Sequence, residues 1–112
     1  MAGSYEIKKG KSGQYSFVLK ASNGEVILQS ETYKEKSSAL RGIASVQKNS
    51  QDAKRYVKKE SKGKKPMFVL RAGNNQVIGT SEMYETEAMR DKGMASVQKN
   101  GSTTTIKDPT AA

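Results

Sequence analysis

The chain has 112 residues, 20 Lys+Arg against 11 Asp+Glu for a formal net charge of +9, and no His, Cys or Trp. Those absences exclude disulfides, a thiolate nucleophile, a Ser-His-Asp triad and the common Cys/His metal sites. Leu, Ile, Val and Phe supply only 18 of 112 residues, a disorder-like share at this charge, so the case for a fold rests on residue order.

In chain order, Tyr5–Lys9 is expected to be a first strand and Gly10–Gly13 a turn. Gln14–Ala21 is a second strand, Asn23-Gly24 a two-residue hairpin turn, and Glu25–Ser30 a third strand. Leu40, Ile43, Ala44 and Val46 or Gln47 recur at helical spacing and predict a helix over Lys36–Lys48. The same series then repeats. Strands are expected at Arg55–Glu60, Met67–Ala72 and Gln76–Thr80, with turns at Ser61–Lys65 and Asn74-Asn75. Thr86 is a suitable N-cap for a second helix over Glu87–Lys99, and Thr103–Lys107 reads as a last short strand. Asn49 and Asn100 are expected to close the helices in the left-handed conformation. Gly42 and Gly93 inside the helices suggest close packing.

The repetition is a gapless duplication at an offset of 51. From 17 to 49, 17 of 33 positions are identical to their partners at 68 to 100, and Tyr5 matches Tyr56. A core pattern kept twice without a gap indicates a folded chain. Each unit of about 50 residues is too small to bury a stable core alone. One domain over 1–112 is therefore expected, made of repeats at about 4–54 and 55–108, with a flexible tail at 109–112. The fold class is α+β: one antiparallel-rich sheet with two helices packed on it, in pseudo-twofold symmetry.

The pattern Phe17-Val18-Leu19-Lys20-Ala21-x-Asn23-Gly24-x-Val26-Ile27, then Ser30-Glu31-x-Tyr33, then Gly42-Ile43-Ala44-Ser45-Val46-x-x-Asn49 resembles the YegP-like family in its duplicated form. The likeness covers about 4 to 108 and occurs twice. The resemblance implies tandem β3-α-β units with exchanged C-terminal strands, and a monomer that mimics a dimer of single repeats. It implies no activity, because that family is uncharacterised. The second copy departs from the pattern at Asn75 and Gly79, where the first has Gly24 and Leu28.

Two surfaces are candidates for function. An Asn-Gly turn sets Ala21 opposite Val26, Lys20 opposite Ile27 and Leu19 opposite Leu28. That register places Tyr15, Phe17, Leu19, Val26 and Leu28 toward the helices. It leaves Val18, Lys20 and Ile27, with Val69, Arg71 and Ile78 in the second copy, as an outer apolar and basic face for a partner or an extended ligand. The alternative for Val18, Ile27, Val69 and Ile78 is simple strand preference under the stems of Lys20 and Arg71. The second surface is the central hairpin. Residues 54–65 carry seven cations (Lys54, Arg55, Lys58, Lys59, Lys62, Lys64 and Lys65) and one acid, or two thirds of the net charge. Such a run suits a phosphate backbone, with Tyr5 or Tyr56 stacking on bases. The alternatives are a solvated tip whose lysines discourage edge pairing and contact with an anionic membrane surface.

Ser30-Glu31-x-Tyr33 and Ser81-Glu82-x-Tyr84 hold acid/base groups, but the simpler expectation is a Ser and a Glu satisfying loop amides and a Tyr packing on the helix. Gly10-Lys11-Ser12-Gly13 lacks the glycine spacing of a phosphate loop and joins two strands. Neither a signal peptide nor a membrane span is expected, and the cytoplasm is the expected compartment. Catalytic, cofactor and metal residues are all expected to be none. The leading expectation is a non-enzymatic binding module, and the alternative a nucleic-acid-binding accessory protein. Lys8, Lys9 and Lys11 form a smaller basic cluster at the equivalent hairpin of the first copy, and the geometry of the two tips separates the readings, since tips on one side of the sheet would form one continuous positive surface.

Overall fold

A computed structural model describes residues 3–110. The strands are β1 (Ser4–Lys9), β2 (Tyr15–Lys20), β3 (Val26–Gln29), β4 (Tyr56–Glu60), β5 (Pro66–Arg71), β6 (Val77–Thr80) and β7 (Ile106–Lys107). The helices are α1 (Lys36–Asn49) and α2 (Glu87–Asn100), and a short 3-10 turn at Ala53–Arg55 leads into β4. Every expected element is present, with ends within a few residues of the expectation. All seven strands form one sheet in the order β4-β5-β6-β3-β2-β1-β7. Neighbours are antiparallel except β1 and β7, which are parallel. The exchanged strand is β7: it follows the helix of the second repeat and lies on β1 of the first, where the Tyr5 N–H donates to the Thr105 carbonyl at 2.9 Å. Of the expected tail, residues 111–112 lie outside the described residues, and Thr110 N–H donates back to Asp108 Oδ1.

The core lies on one face. Tyr5, Ile7, Phe17, Leu19, Leu28, Tyr56, Phe68 and Leu70 alternate inward and meet Ala39, Ile43, Val46 and Val97 of the helices. Both helices therefore cover the same side, and the other side is open. The buried stripe of α1 is Ala39, Gly42, Ile43 and Val46; Leu40 and Ala44, expected inside, are exposed. A stripe centred one residue earlier gives the tightest contact through alanine and glycine. Gly42 and Gly93 are needed for that contact: a Cβ at Gly42 would stand 2.7 Å from Tyr33 Oη, and one at Gly93 would come closer still to Tyr84 Oη. The helices do not close through left-handed asparagines. Ser50 and Gly101 follow with φ −62° and −64°. The Asn49 and Asn100 side chains instead donate to the Ser45 and Ser96 carbonyls, and Asn100 Oδ1 accepts from Gly3 N–H.

The pseudo-twofold axis passes between β3 and β6, where Gln29 pairs with its own counterpart Thr80. Two further pairs of counterparts meet on it. Leu28 fills the space that a side chain on Gly79 would need, and Ser50 fills the space beside Gly101. Identical large side chains would collide at both places. The outer corners of the two halves also differ. Ile7, Ala39 and Leu40 of the first repeat correspond to Lys58, Arg90 and Asp91 of the second, where Asp91 sits 3.6 Å from Lys58 Nζ and 3.3 Å from Arg90 Nε.

Candidate functional site

The open sheet face depends on hairpin geometry, which differs from the expected register. Ala21 N–H donates to the Glu25 carbonyl and Gly24 N–H to the Ala21 carbonyl, both at 2.9 Å. This is a three-residue loop, Ser22–Gly24, with Gly24 left-handed at φ 86°. Asn75 takes the same place in the second repeat at φ 69°. Lys20 then faces Val26 while Leu19 faces Leu28, so Ile27 is the extra residue of a β-bulge, as Ile78 is between Val77 and Gly79. The bulge reverses part of the expected face. Ile27, 7% exposed, joins the core, and Ile78 packs against it. Val26 and Val77 replace them beside Lys20 and Arg71.

Val18, Lys20, Val69 and Arg71 do lie on the open side. A row of paired residues crosses the sheet there: Lys107, Glu6, Val18, Gln29, Thr80, Val69 and Val57. Val18 and Val69 are only 6% and 5% exposed, although no helix covers them; long neighbouring side chains shield them. Lys8, Lys59 and Lys107 are exposed around this strip, with Lys20 and Arg71 half-buried. Glu6 is the one acid among these side chains. Its hydrogen bond to Lys20 Nζ, at 2.9 Å, holds its carboxyl below the usual range.

The seven cations of the central hairpin do not form one surface. Lys54 and Arg55 sit in the 3-10 turn before β4, and Lys62 and Lys64 are at its far end. Lys58 pairs with Asp91, Lys65 with Glu85 at 3.0 Å, and Arg55 with Asp52 at 3.4 Å. Lys59 faces the open side, opposite Met67. The alternation of antiparallel neighbours makes β1 and β4 run in opposite directions, so the tips at Gly10–Gly13 and Ser61–Lys65 lie at opposite ends of the sheet. Tyr5 and Tyr56 are not available for stacking. Both point into the core, where their hydroxyls donate to the carbonyls of Gly101 (2.5 Å) and Ser50 (2.8 Å) at the helix ends. Burial pushes both hydroxyls well above the usual tyrosine range.

In the two Ser-Glu-x-Tyr elements the serines and tyrosines have local partners. Ser30 and Ser81 Oγ accept from Phe17 and Phe68 N–H at 2.9 Å and donate to the Glu31 and Glu82 carbonyls. Tyr33 and Tyr84 pack on the helix glycines. The sequence reading missed Glu6 as the acid that neutralises Lys20. Its alternation with Tyr5 and Ile7 was the available signal. Among the described residues no helix is long and apolar enough to cross a membrane.

The duplication and the fold both have known counterparts. The family model described as a domain of unknown function, DUF1508, matches residues 11–56 and again 61–108. A UPF0339 protein of Acinetobacter baylyi is 60% identical over 110 residues, covering 98% of this chain and 99% of the relative. The solution NMR structure of a UPF0339 protein from Shewanella oneidensis matches with a TM-score of 0.90 at 56% identity, covering 96% of this chain and 92% of that one. That of YegP from Escherichia coli, a protein of unknown function, matches with a TM-score of 0.91 at 50% identity, covering 97% and 94%. The chain belongs to the YegP-like UPF0339 family, built from two copies of the DUF1508 domain.

Proposed function

We propose that this protein is a non-enzymatic interaction module, one cytoplasmic domain spanning both repeats, that takes a protein partner on its open sheet face. The supporting observation is the make-up of that face. Lys8, Lys20, Lys59, Arg71 and Lys107 surround a strip containing Val18, Val26, Val57, Val69 and Val77, against two acids, Glu6 beside Lys20 and Glu82 beside Gln29. It acts as a monomer, since the duplication already supplies a two-sided surface.

The test is affinity capture from native lysate with a Lys8→Glu/Lys59→Glu/Lys107→Glu bait, which reverses the sign of the face at exposed positions. Lys48→Glu/Lys92→Glu/Lys99→Glu on the helix side is the control. Partner loss with the first bait alone supports the reading. Undiminished capture by the first bait sinks it. Capture that vanishes on nuclease treatment supports instead the nucleic-acid alternative, through Lys54, Arg55, Lys58, Lys59, Lys62, Lys64 and Lys65.

A further inference from the structure

The two halves of the open face differ at one corner. In the first repeat Ser4 lies opposite Lys20. Their counterparts are Arg55 and Arg71, one position beyond the Tyr56–Leu70 pair. Lys20 is neutralised within the chain by Glu6. The counterpart of Glu6 is Val57, so the second repeat has a longer cation and has lost its acid.

Both arginines show the consequence. Arg71 Nε is buried without an acceptor, and among the described residues Arg71 takes part in no ion pair and no side-chain hydrogen bond. Arg55 Nε is buried without a hydrogen-bond acceptor as well. Asp52 Oδ2 is in ion-pair range of it at 3.4 Å, and the other oxygen, Oδ1, accepts from Lys54 N–H. The Arg55 guanidinium extends over Gly73, where even a Cβ would keep 3.7 Å from Nη2. Shielded donors without acceptors are unfavourable. An oxyanion from outside the chain would supply what the fold withholds, and the guanidinium fork fits a carboxylate in bidentate fashion.

The surroundings favour a peptide over a nucleic acid. Val77, opposite Arg71, is 38% exposed, and Val57 and Val69 form the next row. An aliphatic side chain finds contacts there. All seven aromatic side chains belong to the core or pack against it, so none is offered for base stacking on this face. We propose that Arg55 and Arg71 form a carboxylate-recognition site that takes an Asp or Glu side chain of an acidic peptide segment, with a neighbouring aliphatic residue seated on Val77. The inference rests on the reading that the open face is the binding surface.

The chain has four arginines, Arg41, Arg55, Arg71 and Arg90, so its ¹⁵N spectrum contains four Nε–Hε signals. The probe is an acetylated, amidated Glu-Val-Glu-Val-Glu-Val peptide, titrated to millimolar concentration beside a mixed-sequence single-stranded RNA dodecamer. The peptide is expected to move the Arg55 and Arg71 signals and leave Arg41 and Arg90 in place. Arg71→Lys, which keeps the charge and loses the fork, should weaken binding about tenfold. Peptide shifts confined to the amides of Val18, Gln29, Val69 and Thr80 overturn the site. So does the absence of any movement with peptide, and so do arginine shifts with RNA alone. In lysate capture, an Arg55→Gln/Arg71→Gln bait with an unchanged amide spectrum should lose the partner. If it retains a partner that Lys8→Glu/Lys59→Glu/Lys107→Glu loses, the open-face reading survives and the arginine site falls.

Discussion

Leu28 and Gly79 hold equivalent places in the two repeats, yet one is 1% exposed and the other has no side chain. A Cβ on Gly79 would stand 2.5 Å from Leu28 Cδ2 and 2.7 Å from Cγ, so the two positions share one volume. Leu28→Ala removes a fully buried isobutyl group and should cost about 2–5 kcal/mol. Gly79→Ala forces a methyl into filled space and should cost about 1–3 kcal/mol. Additivity would put the double variant at the sum of the two. It should instead cost no more than Leu28→Ala alone, because the atoms that the new methyl would strike are gone, giving a coupling of at least about 1 kcal/mol. The exchange Leu28→Gly/Gly79→Leu moves the same leucine across the axis and should return to within about 1–1.5 kcal/mol of the parent, the range of volume-conserving swaps. Urea unfolding followed by far-UV circular dichroism, with unchanged m-values, measures all four. Additivity within about 0.5 kcal/mol would refute the shared-volume argument.

Intrinsic propensity favours Gly42→Ala and Gly93→Ala by about 1 kcal/mol. The contacts with Tyr33 and Tyr84 should reverse that sign to a loss of about 1–3 kcal/mol in urea midpoints. Lys64 holds φ 62° where the first repeat has Gly13 at φ 83°, so Lys64→Gly should raise stability by about 0.5–1 kcal/mol in the same assay. Burial raises the Tyr5 and Tyr56 hydroxyls, so the folded state keeps protons that the unfolded state releases near pH 10. That stability is present below pH 10 and is lost as pH rises further, at up to about 1.4 kcal/mol per pH unit per tyrosine. Tyr5→Phe/Tyr56→Phe should flatten the decline in urea midpoints between about pH 9 and 11.5. Grafting the first-repeat corner as Lys58→Ile/Arg90→Ala/Asp91→Leu should be neutral or stabilising, whereas Asp91→Leu alone strands Lys58 and the nearly buried Arg90 and should cost about 1–2 kcal/mol.

The duplication, the seven strands and both helices were legible because each rests on local pattern repeated at one offset. The register of the β2–β3 hairpin was not. Asn23-Gly24 is the strongest two-residue signal, and the chain instead uses Gly24 as the third residue of a longer loop. In Val26-Ile27-Leu28 all three residues are apolar, so alternation cannot tell which one bulges. That single step moved Ile27 and Ile78 off the expected face and brought Val26 and Val77 onto it. The basic run was legible as charge and misleading as a surface. Its partners Asp91 and Glu85 come from elsewhere in the chain, and strand alternation carries successive lysines to opposite faces. The corner at Arg55 and Arg71 needed the β4–β5 pairing before the loss of a Glu6 counterpart acquired meaning.

Fusion of the two repeats explains why these differences can exist. In a symmetric dimer of single repeats, a residue on the twofold meets its own copy, so any side chain there must be compatible with itself. Two leucines at the Leu28 position would need one volume, and two glycines would leave it empty. A single chain holds Leu28 against Gly79 and Ser50 against Gly101, filling each space once. The same freedom extends to the surface. A dimer must repeat the Glu6–Lys20 pair on both halves of its open face. The fused chain keeps it on one half and places Val57, Arg55 and Arg71 on the other. The sheet thus holds one corner where the Lys20 charge is neutralised and one where the Arg71 charge is not, without losing the shared core, and an acidic partner taken up as proposed would lie across it in one preferred direction.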